Sequence, residues 1–198
     1  MEAVNVLTAA FPSTLKQYDD NGIQRIVFEN SLYFDVVSLA READIHRILP
    51  AAYYRYCEIF SFDEVLEGIT RPDGTLSTLS VQDQQVIIRG WHRLLGMQPL
   101  YTFRWITLEL QANAAWFTGC EARTPRNCTF ARQQLLCNFY LMGSKCRALR
   151  SWDPAWELHM CDSCTKFCKA AHAHGRASVW WKLPLAFGLP DWNKMLEE

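Results

Sequence analysis

Apolar positions along the chain recur at helical spacing almost throughout, and no stretch alternates as a half-buried strand does. Val4, Leu7, Ala10 and Phe11 form a first short stripe that ends at Pro12. Asp19-Asp20-Asn21-Gly22 is a turn signal, and the β-branched stretch from Ile23 to Phe28 reads as a short strand or an extended linker. From Tyr33 the pattern turns helical, with Val36, Val37, Leu39, Ala40 and Ala43 on one stripe. Asp44 is placed to cap a second helix over residues 45–60, bent or restarted at Pro50, which has no N–H to donate. Ser61-Phe62-Asp63-Glu64 is a capping box, and its helix ends at Gly68, a residue suited to a left-handed C′ position. Arg71-Pro72-Asp73-Gly74 is a turn inside a loop over residues 70–79.

Ser80 opens the strongest helix, with Asp83 near its positive end and Val86, Ile87, Trp91, Leu94 and Leu95 as its buried face. Gly96 and Pro99 mark a break or a tight turn. A further helix is expected over residues 100–117, carrying Tyr101, Trp105, Leu108 and Ala112; then a loop over 119–127 and a helix over 130–149. Asp153-Pro154 is a start signal, with Asp at N-cap and Pro at N1. The last long helix is expected over 161–183, ending at Pro184, and the apolar tail from Leu185 to Trp192 must dock on something. About eight helical segments with short connections predict an all-α fold, a single irregular helical domain. Its expected division is a helical region over 1–117 and a cysteine- and tryptophan-rich helical region over 118–198 packed on it.

Composition narrows the function classes. Apolar residues make up 49% of the 198 positions, enough to bury a core against chain entropy, so disorder is not expected. Lys and Arg total 20 against 21 Asp and Glu, and this balance argues against a dedicated nucleic-acid or membrane-surface binder. No stretch approaches 18 apolar residues, and Met1 to Thr8 has neither a basic leader nor an apolar core. The expected setting is cytoplasm or nucleus, where the eight cysteines stay reduced rather than forming a disulfide framework. There is no G-x-S-x-G and no glycine-rich phosphate loop, so no catalytic residues and no small-molecule substrate are expected. Asp44 with His46, and Trp91-His92-Arg93, read as solvated helix faces.

The sharpest chemistry lies in the cysteines. Cys57, Cys137 and Cys146 sit in apolar helical runs and read as small buried hydrophobes. Cys161-Asp162-Ser163-Cys164 is a CxxC at a helix start, which offers two thiolates to one metal ion. Cys120 and Cys128, in a loop rich in turn formers, can supply the other two. The expected site is a closed structural zinc held by Cys120, Cys128, Cys161 and Cys164, set against two unrelated thiol pairs. Cys168 and His172 lie on the same helical face as the CxxC, and His159 is close in sequence, so any of them could replace a loop cysteine. A redox CxxC needs a preceding parallel strand, and Trp156-Glu157-Leu158-His159-Met160 does not read as one. Arg123, Arg126, Arg132, Lys145, Arg147 and Arg150 form a mild basic stretch uninterrupted by Asp or Glu. It suggests an alternative, a zinc-containing regulator contacting nucleic acid through that stretch. The eight tryptophans read as core anchors at helical spacing, or in part as a binding groove.

Several segments resemble a known family. Residues 39–54, Leu39-Ala40-Arg41-Glu42 through Leu49-Pro50-Ala51-Ala52-Tyr53-Tyr54, resemble a segment of fungal, mostly mushroom-type, BTB/POZ-domain proteins. So do Leu79-Ser80 leading into Gly90-Trp91-His92-Arg93-Leu94, and the late block of Cys161, Cys164, Gly175-Arg176, Trp180-Trp181-Lys182-Leu183-Pro184, Phe187-Gly188-Leu189 and Trp192. Cys120 and Cys128 resemble the family's further cysteine pair. In that family these segments follow an N-terminal BTB domain, and residues 1–20 look like the stretch just after it. The resemblance implies a helical, BACK-like module without the BTB domain itself, acting as an interaction or scaffold element toward protein partners. It brings no catalytic residues.

Overall fold

The computed structural model describes residues 2–21, 30–107, 120, 125–141 and 145–197. The fold is all-α. In chain order the helices are α1 (Glu2–Ala10), α2 (Leu15–Asn21), α3 (Asn30–Glu42), α4 (Leu49–Ile59), α5 (Phe62–Glu67), α6 (Val81–Leu100), α7 (Arg104–Thr107), α8 (Pro125–Leu141), α9 (Asp162–Ala186) and α10 (Trp192–Glu197). Two 3₁₀ turns among the described residues, His46–Ile48 and Pro154–Glu157, join them. The loop expected over 70–79 carries a small antiparallel ladder, β1 (Ile69–Thr70) against β2 (Leu76–Ser77), with Ile69 opposite Ser77. The expected boundary at 117/118 and the Ile23–Phe28 stretch lie outside the described residues. The chain forms two compact units, residues 1–94 with 180–198, and residues 95–179.

The first unit is built around α4. Leu49 to Tyr54, Tyr56 and Cys57 are all buried, so this helix is covered on every side. Pro50 neither bends nor breaks it, because it falls in the first turn, where a backbone N–H has no intrahelical partner. Asp44 does not cap this helix. It adopts a left-handed conformation (φ 57°) at the end of α3, where Ile45 N–H donates to the Ala40 carbonyl and Asp44 N–H to that of Arg41. That is a Schellman closure, which Asp tolerates. The capping box forms as expected: Ser61 Oγ accepts from Glu64 N–H at 3.2 Å and Glu64 Oε2 from Ser61 N–H at 2.7 Å. Residues 15–21 are helical rather than ending in a turn at Asp19, with Thr14 Oγ1 accepting from Gln17 N–H.

Asp83 does more than complement a helix dipole. It is buried, and its carboxylate accepts from Arg41 Nε (2.7 Å), Tyr53 Oη (2.7 Å) and Ser80 Oγ (2.6 Å). Burial, then the adjacent carboxylate, pushes the Tyr53 hydroxyl well above its ordinary range, so it stays a donor. On α6, Ile87, Trp91 and Leu94 are buried as expected, whereas Val86 and Leu95 are half-buried. Gly96 and Pro99 do not interrupt α6, which runs on to Leu100.

α9 passes through Pro184 and closes two residues later, with Gly188 in the left-handed region (φ 73°) and Leu189 N–H donating to the Pro184 carbonyl. Proline has no N–H, so the Trp180 carbonyl one turn earlier loses its helical donor. Trp192 supplies one: its indole Nε1–H donates to the Trp180 carbonyl at 2.8 Å while the two rings stack, 5.4 Å apart and 11° from parallel. Arg93 donates to the last α9 carbonyls, of Leu185 and Ala186. Phe187 lies on Gly90, where a Cβ would strike its ring. The apolar tail therefore docks through specific bonds.

In the second unit, α8 starts at Pro125 and ends at Leu141 rather than spanning 130–149. Residues 145–147 are irregular, and the carbonyls that follow are taken by side chains: Ala148 by Thr102 Oγ1, Leu149 by Arg176 Nε (3.0 Å) and Arg150 by His172 Nε2 (2.9 Å). Gly175 is required at its place on α9, because a Cβ would meet the Tyr101 carbonyl and Thr102. Phe103, Trp105, Ile106, Trp156 and Cys168 form an apolar cluster, with Trp152, Phe139 and Phe167 packed on it. Asp153 caps the second 3₁₀ turn, accepting from Ala155 N–H at 3.0 Å.

Two outcomes follow for denaturant unfolding. Asp83→Ala strands the Arg41 and Tyr53 donors and costs about 3 kcal/mol, while Asp63→Ala, away from the network, stays within about 0.5 kcal/mol. Trp192→Phe costs about 1 kcal/mol from the lost hydrogen bond, and less in a Pro184→Ala background, where an N–H again reaches the Trp180 carbonyl. Equal costs in both backgrounds would refute that coupling.

Candidate metal centre

The four cysteines expected to bind zinc come from three places in the second unit. Cys120 lies outside any helix, Cys128 is the fourth residue of α8, Cys161 immediately precedes α9 and Cys164 is its third residue. Two of the four thus sit in the first turn of a helix, where unpaired N–H groups favour negative charge. The CxxC places Cys161 and Cys164 on one side of that turn, and Thr165 N–H donates to the Cys161 carbonyl at 2.9 Å.

The four Sγ atoms all lie within 4.8 Å of one another, and those of Cys120 and Cys161 are 3.9 Å apart. In a tetrahedral site with Zn–S bonds of about 2.3 Å, adjacent sulfurs are about 3.8 Å apart. A disulfide needs about 2.0 Å, and all eight cysteines are free thiols. Cys128 and Cys164 are buried, at 2% and 6% exposure, while Cys120 and Cys161 are half-exposed. The backbone N–H of Cys161 donates to Cys128 Sγ at 3.3 Å, a bond suited to a thiolate. Burial, reinforced by the neighbouring thiols, pushes the Cys164 thiol far up. It also pushes that of Cys128 up, against the Cys161 N–H. Without a cation the buried pair is therefore neutral, and a divalent metal would displace protons to bind. Four cysteine sulfurs this close together are compatible with zinc, which prefers thiolates in tetrahedral sets of four.

The alternative ligands have other places. Cys168, one turn beyond Cys164, is buried as a member of the apolar cluster that includes Phe103 and Trp105. His172 is buried among Trp105, Trp152 and Trp156. Its Nε2–H donates to the Arg150 carbonyl, and Nδ1 accepts from Trp105 Nε1–H at 3.2 Å, with the Thr102 carbonyl also 3.0 Å away. His159 is exposed, in a left-handed conformation (φ 69°). Among the described residues, only the four cysteines form such a group. Cys57 and Cys146 are buried as expected; Cys137 is exposed, because it lies on the outward face of α8 with Gln133, Gln134 and Asn138.

In the basic stretch, Arg132 is buried and donates to the Trp105 carbonyl. Arg150 pairs with Asp153 at 2.9 Å and lies over the Trp156 ring. Lys145 is exposed and Arg147 half-buried; Arg123 lies outside the described residues. Trp91, Trp105, Trp156, Trp180 and Trp192 are buried anchors, whereas Trp181 is exposed. No helix among the described residues is long and apolar enough to cross a membrane. The chain matches no family model, no curated protein and no solved structure.

Spacing could not reveal the N–H···S bond from Cys161 to Cys128, or the three tryptophans around His172. Both depend on contacts well beyond local helical spacing, 33 residues for the sulfur bond and 67 for Trp105 with His172, and only the residue types were visible in advance.

His172 generates a pH test. Burial, assisted by the nearby Arg176 and Arg150 charges, lowers its pKa below the ordinary 6.5, outweighing the carbonyls of Arg150 and Thr102. The unfolded chain therefore binds this proton more readily, and the stability His172 confers is full above pH 6.5 and declines as pH falls toward its folded value. The stability advantage of the wild type over His172→Gln should accordingly shrink between pH 7.5 and 5.5. A constant or growing difference would show that the ring is not held neutral.

Proposed function

We propose that this chain is a non-enzymatic intracellular module that binds or scaffolds protein partners, its cysteine-rich unit held by one structural zinc ion. The observation that carries the reading is the convergence of Cys120, Cys128, Cys161 and Cys164 within 4.8 Å. Four thiolates saturate zinc, leave no position for a water or substrate, and so give a structural rather than a hydrolytic centre. A partner surface is supported by Trp181 and Leu185, one turn apart on α9 and each more than half exposed. The resemblance of residues 39–54 and 161–192 to the post-BTB region of fungal BTB/POZ proteins supports the same reading. The nucleic-acid alternative is weaker, because Arg132 and Arg150 are engaged within the protein and are not offered to phosphates.

Elemental analysis of protein purified without added metal is expected to give one zinc per chain. A value near zero, with the four thiols freely titratable in the folded protein, would refute the site. Cys164→Ser should lose the zinc and the stability that comes with it, about 4 kcal/mol when free zinc exceeds the dissociation constant a thousandfold. Cys137→Ser, at an exposed cysteine outside the cluster, should change neither.

A further inference from the structure

The four ligands are not equivalent. Cys128 and Cys164 are buried and fixed inside helical turns, whereas Cys120 and Cys161 are half-exposed on non-helical backbone, with sulfurs 3.9 Å apart. Metal-bound thiolates stay nucleophilic because they are deprotonated, so access decides which of them an oxidant reaches. Closing the Cys120–Cys161 gap to a disulfide requires the sulfurs to approach by about 2 Å, between two residues on non-helical backbone, of which Cys161 is joined to α9 through its carbonyl, the acceptor of the Thr165 N–H. The buried pair would have to break into the first turns of α8 and α9 to do the same.

We propose that Cys120 and Cys161 form an oxidation site through which a hydroperoxide releases the zinc; the proposal rests on the zinc reading above. One of the two thiolates attacks the peroxide, the O–O bond breaks, and a sulfenic acid forms with loss of hydroxide. The other attacks that sulfur, the S–S bond forms, and a second hydroxide leaves. The two sulfurs together lose two electrons, which reduce hydrogen peroxide to two waters with two protons from solvent. Zinc then keeps only Cys128 and Cys164. These take up one proton each as it departs, so four protons are consumed for each zinc released.

The test uses the full chain with Cys137→Ser, which removes the exposed competing thiol. Zinc per chain is measured before and after stoichiometric hydrogen peroxide with a chromogenic chelator, and the disulfide is located by peptide mapping. The expected result is a fall from one zinc to near zero, a Cys120–Cys161 linkage, and recovery of one zinc after reduction and re-addition of the metal. Zinc that stays bound under these conditions, or release with a Cys161–Cys164 or Cys128–Cys164 linkage, would overturn the proposal while leaving the zinc reading intact. Absence of zinc before any oxidant would overturn both.

Discussion

Holding four sulfurs from three chain segments within bonding reach of a single point is the constraint on which the second unit depends. Clustered neutral thiols attract one another only weakly, and burial opposes their ionisation. A divalent cation changes the sign of that balance, since it requires the thiolates that the apolar surroundings disfavour. The helix starts at Cys128 and Cys164, and the N–H of Cys161 aimed at Cys128, already favour negative charge there. The metal we propose is thus supported by electrostatics as well as by distance. Beside the cluster, Cys168 belongs to an apolar packing group, so sulfur serves two different ends one helical turn apart.

Elsewhere the fold is governed by where backbone carbonyls find donors. At several places where a helix stops or loses a bond, a named side chain takes over. Trp192 serves the carbonyl that Pro184 leaves open, Arg93 serves the end of α9, and Thr102, Arg176 and His172 serve residues 148–150. This lets each unit carry irregular, apolar chain without orphaned polar groups there. In the first unit the same logic governs side chains. The buried carboxylate of Asp83 is tolerable because three donors converge on it, and it links α3, α4 and the start of α6.

Local chemistry made part of this legible from residue types alone. The capping box at Ser61, the cap at Asp153 and the helix over Asn30–Glu42 depend on contacts within one or two turns, which spacing encodes. The CxxC and its two distant partners were legible because metal chemistry restricts both residue type and number. Features set by contacts far along the chain were not. Asp44 looks like an N-cap until the Schellman bonds place it at the end of α3. Residues 145–149 are expected to continue a helix, but they are not helical, and side chains of α9 take the carbonyls of Leu149 and Arg150. Asp83 looks like a dipole residue until Arg41 and Tyr53 reach it from 42 and 30 residues away.

The central claim is that four cysteine sulfurs, and no other atoms, hold one zinc ion. X-ray absorption at the zinc edge of the purified chain tests it most directly, because it reads ligand type and distance without presupposing which residues are involved. The account predicts a single shell of four sulfurs at about 2.3 Å. A nitrogen or oxygen ligand near 2.0 Å, from a histidine or a water, would contradict it.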